Sequence, residues 1–205
     1  MSEFDARAAT WDANTMHTAR TRAIAGAIIR KVPLASTMRA LEIGAGTGLL
    51  GMALQDRVGS ILFTDPSSGM IDVLNHKIAD GGFSQLAARV LDLATDAAPE
   101  GPFELVFSQM ALHHVQDVAG HLRILYRLMA PGATLCIADL DAEDGSFHGE
   151  GFHGHKGFER GELGALLVAA GFERIEFETV HEMEREIDGT LRKFPIFLLV
   201  ARKPG

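Results

Sequence analysis

Short apolar runs alternate with amphipathic stretches along most of the chain. Apolar residues dominate five runs bounded by turn-forming residues, at 38–43, 60–64, 85–91, 103–108 and 133–140. Runs of this length are typical of buried strands. Between them, apolar residues recur every three or four positions, which is typical of helices packed on a sheet. The alternation predicts an α/β fold with a mostly parallel sheet.

Amphipathic spacing and stop signals place the helices. Residues 4–31 carry alanine and isoleucine on one side and end before Pro33, because the residue before a proline avoids helical angles. We expect an N-terminal helical cap within residues 1–35, on a core of residues 36–205. Further helices are predicted at residues 48–56, after Pro66, from Asp117 to a stop at Pro131–Gly132, and at residues 159–170.

Two further apolar runs near the C-terminus differ from these five. No helical pattern separates residues 173–180 from residues 195–202, so we expect these two strands to pair as an antiparallel edge hairpin. The charged residues 181–193 between them are predicted to form a solvent-facing linker. The predicted fold is therefore a Rossmann-like, doubly wound, seven-stranded, mostly parallel sheet with an antiparallel C-terminal edge hairpin, in a single domain of residues 1–205.

Composition narrows the classes of function. With 205 residues and 47% apolar residues, the chain fits one domain with a full core. The 19 basic and 27 acidic residues give a net charge of −8, which argues against a nucleic-acid partner because such binding depends on neutralising phosphates. The single cysteine, Cys136, excludes an internal disulfide and fits a reducing compartment.

The chain shows no targeting or membrane signal. Residues Met1–Asp5 have no basic region followed by an apolar region, so we expect no secretory leader. No apolar run approaches the length needed to span a bilayer. We therefore expect a cytoplasmic protein without a membrane partner.

A glycine-rich turn carries the clearest functional signal. The stretch Leu41–Leu50 reads L-E-I-G-A-G-T-G-L-L, the end of a strand followed by a turn and the start of a helix. Its alternating glycines let a ligand approach the backbone, and the helix N-terminus offers unpaired N–H groups. Asp65 follows Gly48 by 17 residues at the end of the next strand, where an acid is placed to accept hydrogen bonds from ribose hydroxyls.

The spacing of this turn distinguishes between cofactors. A dinucleotide fingerprint has its third glycine three positions after the second, but Leu49 stands there in this chain. Glu42 would face the ligand as a carboxylate, which repels a pyrophosphate and suits a ligand that carries an ammonium and a sulfonium. The pattern E-x-G-x-G-x-G resembles motif I of the class I S-adenosylmethionine-dependent methyltransferases. The resemblance implies that Glu42 and the glycine turn hold the methionine end of S-adenosylmethionine.

Other segments extend this resemblance over nearly the whole chain. Phe4–Asp12 is similar to the F-D-x-x-A-x-x-Y-D entry of small-molecule methyltransferases, in which the aromatic residue lies over the cofactor. Trp11 takes that position here, with a packed terminal aromatic as the alternative. Asp92 matches the acid that contacts adenine, or is a turn aspartate. The cofactor-binding residues expected on this basis are Trp11, Glu42, Gly44, Ala45, Gly46, Gly48, Asp65, Pro66, Met70, Asp92, Leu93 and Ser108.

Histidines supply the catalytic candidates. The segment L-H-H-V at 112–115 resembles the ubiquinone and menaquinone biosynthesis methyltransferases, which act on small molecules. A long glycine-rich loop, residues 141–158, follows a parallel strand and is similar to a group of small stand-alone methyltransferases. His148 is the first candidate for a base or orienting group, followed by His155 and His113. The alternative is that these imidazoles pack and fix the backbone.

A metal site is not expected. His148, His153 and His155 lie near three acids of the same loop, but their spacing matches no standard site, and methyl transfer needs no metal. The predicted function is therefore transfer of a methyl group from S-adenosylmethionine to a small-molecule acceptor. The alternatives are a non-catalytic S-adenosylmethionine-binding scaffold or regulator and, with less support, an NAD-dependent oxidoreductase. The sequence does not predict the oligomeric state.

Overall fold

The computed structural model describes residues 3–149 and 151–205. Met1 and Ser2 of the opening segment and Glu150 of the long loop lie outside the described residues. The strands are β1 (Arg39–Ile43), β2 (Ser60–Asp65), β3 (Leu86–Val90), β4 (Phe103–Gln109), β5 (Met129–Leu140), β6 (Glu173–Ile187) and β7 (Thr190–Arg202). The α-helices are α1 (Glu3–Arg7), α2 (Thr15–Lys31), α3 (Leu49–Leu54), α4 (Ser68–Asp80), α5 (Val118–Leu128) and α6 (Arg160–Ala170).

The strands form one seven-stranded sheet in the order β3-β2-β1-β4-β5-β7-β6. Strands β1 to β5 are parallel, and β7 runs antiparallel between β5 and β6. The predicted fold class is confirmed. The strand order reverses between β1 and β4, and ligands of open α/β sheets bind at the carboxyl ends of strands at such a switch point.

The sheet is covered on both faces. Along β4, Leu105 and Phe107 belong to the core on the side of α2, α3 and α4, whereas Val106 belongs to the core on the side of α5 and α6. This alternation follows from the two-residue period of a strand. Within the described residues, none of the helices has the length and apolar character needed to cross a bilayer. The single-domain boundary stays a prediction.

The C-terminal hairpin is longer than the sequence indicated. The prediction of a linker at residues 181–193 is wrong, because these residues extend β6 and β7 and pair with each other, for example Glu184 with Lys193. The turn is Asp188–Gly189, and both residues have positive φ (50° and 73°), as a two-residue hairpin turn requires. Charged side chains on the exposed face obscured the strand pattern.

Two helix boundaries also differ from the prediction. The N-terminal segment is not one helix: a 3-10 helix at Ala8–Ala13 separates α1 from α2, and the side chain of Asn14 caps α2 by accepting from the backbone N–H of Met16. Helix α5 ends at Leu128, before the predicted stop, because β5 already begins at Met129. These changes leave the carboxyl edge of the sheet as predicted.

Candidate active site

The glycine turn leaves space for a ligand at one position. Gly44, Gly46 and Gly48 have positive φ of 62°, 55° and 79°. A Cβ atom at Gly44 would lie 2.4 Å from Cβ of Ala111, and one at Gly48 would lie 2.4 Å from Cδ1 of Leu74. At Gly46 the nearest atom would be Sδ of Met70 at 3.9 Å. The outer glycines are therefore closed by packing, and the middle one borders open space.

Glu42 has an unsatisfied oxygen in the core beside this turn. Its side chain is fully buried, and Oε2 accepts from the backbone N–H of Gly51 at 3.0 Å. Oε1 has no partner among the described residues. Burial raises the pKa of Glu42 well above its usual value. An uncompensated buried carboxylate is costly, and a cationic ligand group would stabilise its charged form, so this residue fits the ammonium of S-adenosylmethionine.

Asp65 joins the glycine turn to α4. Its Oδ2 accepts from the backbone N–H of Gly46 at 2.7 Å, and Oδ1 accepts from that of Ser67 at 2.8 Å. Burial raises the pKa of Asp65, and these two hydrogen bonds oppose the shift. Each carboxylate oxygen accepts about two hydrogen bonds, so capacity for ribose hydroxyls remains. Its contact with ribose stays a prediction.

Two aspartates missed by sequence reasoning hold the N-terminal segment on this site. Oδ1 of Asp5 accepts from Oγ of Ser67 at 2.6 Å. Oδ1 of Asp12 accepts from Oγ1 of Thr47 at 2.5 Å, and its other oxygen pairs with Lys77. The F-D-x-x-A-x-x-W-D motif contains both acids, but sequence reasoning gave a role only to its aromatic residue.

The remaining predicted cofactor residues are distributed around the same edge. Trp11 is half-buried, with its ring centroid 4.3 Å from that of His17. Asp92 is exposed, and its Oδ1 accepts from the backbone N–H of Ala94 at 2.9 Å, as in a turn. Pro66 is exposed. The buried members are Ala45, Met70, Leu93 and Ser108. Their roles in binding stay predictions.

His113 is oriented by a buried carboxylate. Its Nδ1 lies 2.6 Å from Oδ1 of Asp139, and its backbone N–H donates to Oδ2 at 3.1 Å. Both side chains are buried. A carboxylate beside Nδ1 favours the tautomer with the proton on Nδ1, which leaves Nε2 as the acceptor. Sequence reasoning singled out His113 and assigned nothing to Asp139, which is 26 residues away in the chain.

His148 lies beside this pair. Its ring stacks on Phe152 at 3.8 Å with an interplanar angle of 9°, and its centroid is 4.9 Å from that of His113. Its Nδ1 is buried without a partner among the described residues. Burial, assisted by the charges of nearby groups, lowers the pKa of His148 to about 4. The imidazole is therefore neutral near pH 7.

His155 has a different environment. Its Nε2 lies 2.9 Å from the carbonyl oxygen of Val115, and its backbone N–H donates to the carbonyl of His113 at 2.7 Å. A ring nitrogen that donates to a carbonyl cannot also accept a proton. These contacts connect the long loop to the turn after β4.

The fold brings three histidines together, and such a group bears on the prediction that the protein needs no metal. His113, His114 and His148 offer ring nitrogens that lie within 4.8 Å of one another, and this is the one such group among residues 3–149 and 151–205. Nitrogen ligands about 2.0 Å from a tetrahedral zinc would be about 3.3 Å apart. The three rings are tilted or edge-on to one another, with centroids 4.2–6.0 Å apart. The absence of an essential metal stays a prediction.

Sequence reasoning also missed a buried arginine. Arg20 is 5% exposed, its terminal NH1 lies 3.6 Å from Sδ of Met183, and its Nε has no partner among the described residues. Burial lowers its pKa to about 10. Its helical spacing from Ile24 and Ala27 predicts the same buried face, but an arginine in such a pattern is usually solvent-facing.

The strand order and the glycine turn agree with the class I S-adenosylmethionine-dependent methyltransferases. The family described as "Methyltransferase domain" matches residues 16–187, and the chain belongs to this family. S-adenosylmethionine is the cofactor of the class.

Similar proteins are diverse. A malonyl-[acyl-carrier protein] O-methyltransferase of Magnetococcus marinus is 37% identical over 113 residues, covering 54% of this chain and 41% of that protein. A polyketide synthase–nonribosomal peptide synthetase of Pyricularia grisea is 31% identical over 130 residues, and the match covers 59% of this chain but only 3% of the synthase. A phosphoethanolamine N-methyltransferase 2 of Haemonchus contortus, solved with S-adenosyl-L-methionine, has a TM-score of 0.74 at 17% identity over 91% of this chain and 52% of that one.

Proposed function

We propose that this chain transfers a methyl group from S-adenosylmethionine to a small-molecule acceptor. The observation that carries the proposal is the buried Glu42 with its unpaired Oε1 beside the glycine turn. A cationic amino group satisfies such an oxygen, whereas the pyrophosphate of NAD would be repelled. The net charge of −8 supports an acceptor that is not a nucleic acid, and we expect a cytoplasmic location without a membrane partner.

The cofactor supplies a methyl group on a positively charged sulfur, which is a good leaving group. We assign the methionine end to Glu42 and the backbone at Gly46, and the ribose to Asp65. The segment of Asp5 and Asp12 is hydrogen-bonded to Thr47 and Ser67 on this side, and we assign it the role of excluding water from the bound cofactor. Alignment of the acceptor with the methyl group then supplies most of the catalysis.

The acceptor side is assigned to the histidines after β4 and β5. If the acceptor is a hydroxyl or a carbon acid, its proton goes either to His148 or to Nε2 of His113. Each of these rings, when neutral, has one nitrogen that can accept a proton. Asp139 acts as a positioning residue that holds the ring of His113. We assign His155 a positioning role as well, since its ring nitrogen contacts a backbone carbonyl.

The test compares turnover with cofactor binding. His148→Ala is expected to lose roughly 10²-fold or more in rate with a panel of phenols, thiols, amines and quinol precursors, the size of a general acid–base contribution. Its affinity for S-adenosylhomocysteine, measured by calorimetry, should stay within about threefold, under 1 kcal/mol. His76→Ala, at an exposed site on α4, is the matched control.

Three outcomes contradict parts of this proposal. Equal turnover in both variants would remove His148 from the chemistry. Cofactor binding without turnover on any acceptor would support a scaffold or regulator. Dialysis against a chelator is expected to leave the rate unchanged, and activity that disappears and returns with zinc would overturn the metal-free mechanism.

A further inference from the structure

Two arginines lie close to the histidines proposed for the acceptor side, Arg20 through Asp139 and Arg185 through Phe147. Arg20 projects from α2 and contacts Met183 on β6. Arg185 lies two residues further along β6, on the same face of the strand as Met183. Its guanidinium lies over the ring of Phe147, 4.3 Å from the centroid, and donates to the carbonyl of Phe147.

The contacts continue from Arg185 back to Arg20. Phe147 packs its ring 4.8 Å from that of His148, and His148 lies against His113. His113 bonds Asp139, whose charge interacts with Arg20. The two arginines, the histidine pair and Asp139 therefore form one connected cluster next to the proposed methyl-transfer site.

The cluster has more positive charge than its acid neutralises. Asp139 is engaged by the backbone and ring of His113 and by the backbone N–H of Leu140. Neither Arg20 nor Arg185 takes part in an ion pair within the described residues. Arg20 also keeps its buried Nε unpaired. A desolvated guanidinium that no carboxylate contacts by a hydrogen bond is costly unless a ligand supplies the acceptor.

We propose that the acceptor is an anion, whose carboxylate or phosphate group is bound by Arg20, and that the exposed Arg185 of the same cluster adds positive charge. The proposal rests on the function proposed above and specifies its substrate class. A planar guanidinium presents paired N–H donors that match either oxyanion. The stacked rings of His148 and Phe152 would cover an apolar part of the same molecule.

Another explanation is that Arg20 only balances the charge of Asp139. That role predicts loss of stability on substitution, without any preference among ligands. Binding of matched anionic and neutral probes separates the two explanations.

The experiment measures probe binding by calorimetry, with and without saturating S-adenosylhomocysteine. The probes are 4-hydroxybenzoate, its methyl ester, phenyl phosphate and phenol. At least one anion should bind about tenfold or more tightly than its neutral counterpart, which corresponds to about 1.4 kcal/mol. Comparison of the carboxylate with the phosphate identifies the preferred oxyanion. Arg20→Gln should abolish the preference, and Arg20→Lys should keep part of it.

Arg22→Gln is the matched control, because Arg22 is exposed on the same helix. It should keep the full preference. If the neutral probes bind as well as the anions, or if no probe binds, the proposal is wrong. A folded Arg20→Gln protein that keeps the preference would also overturn it. If the Arg20→Gln protein does not fold, the test rests on two results: the preference of the wild type for the anionic probes, and its partial retention in Arg20→Lys. Failure to bind S-adenosylhomocysteine in the same titrations would instead contradict the proposed methyl transfer.

Discussion

At the scale of single residues, the partners of a ring nitrogen decide what each histidine can do. His113 has a carboxylate at Nδ1, whereas His155 has a carbonyl at Nε2. His148 has no partner at its buried Nδ1 among the described residues and packs against aromatic rings. These three histidines therefore differ in which ring nitrogen is free to contact a ligand.

The low pKa of His148 predicts a pH dependence of stability. Its pKa is about 4 in the folded protein, against 6.5 for the ordinary group. Between these values the unfolded chain binds the proton more readily, so His148 lowers stability as pH falls from 6.5 to 4 and costs nothing above 6.5. His148→Gln should therefore lose less stability than the wild type over that range, as measured by urea unfolding. Parallel curves for the two proteins would contradict this prediction, and His76→Gln should follow the wild type.

Sequence reasoning identified candidate residues where their positions depend on neighbours in the chain. The spacing of Gly44, Gly46 and Gly48 is local, and so is the acid at the end of the next strand. Arg20 and Asp139 were missed because their significance arises from contacts across the sheet. A buried charge is recognisable only when its surroundings are known.

At the scale of elements, the buried strands were predictable, whereas the outer part of the hairpin and the break in the N-terminal helix were not. The buried strands were predicted from their apolar runs. The outer part of the hairpin was not, because an edge ribbon with both faces largely solvated carries charged residues without a clear alternation. The break between α1 and α2 was missed because alanine-rich sequence suits a continuous helix as well.

The N-terminal cap should depend on Asp12. This carboxylate connects the cap to Thr47 in the glycine turn and to Lys77 on α4. Asp12→Ala is expected to reduce the free energy of unfolding by about 1 kcal/mol, because the ion pair is only partly buried. Hydrogen exchange of residues 4–13 should become faster while that of the central strands does not change.

A double-mutant cycle with Lys77→Met is the control for this pair. If the two residues act through one contact, the double variant should lose less than the sum of the single losses. Full additivity, or a cap that exchanges at the wild-type rate in Asp12→Ala, would show that the cap is held by other contacts.

At the scale of the whole molecule, the carboxyl edge of the sheet brings together segments that are far apart in sequence. The glycine turn follows β1, Asp65 ends β2, and the histidines follow β4 and β5. The cap reaches both groups, because its Asp12 bonds Thr47 of the glycine turn and its Phe4 ring lies 5.4 Å from that of His114. Cofactor binding at this junction would connect the cap, the turn and α4, so that occupancy stabilises the fold as one unit.

The cofactor assignment can be tested through this coupling. S-adenosylhomocysteine at about 100 times its Kd should stabilise the folded protein by about 2.7 kcal/mol, because it binds only the folded state. For a chain of this size the Tm should rise by roughly 5–11 °C, at about 2–4 °C for each kcal/mol. NAD at the same concentration should leave the Tm unchanged. Asp65→Ala, with affinity reduced about tenfold by loss of a charged hydrogen-bond acceptor, should show about half of the stabilisation at the same ligand concentration. A larger shift with NAD than with S-adenosylhomocysteine would overturn the assignment, and an undiminished shift in Asp65→Ala would leave that carboxylate as a link between the glycine turn and α4 alone.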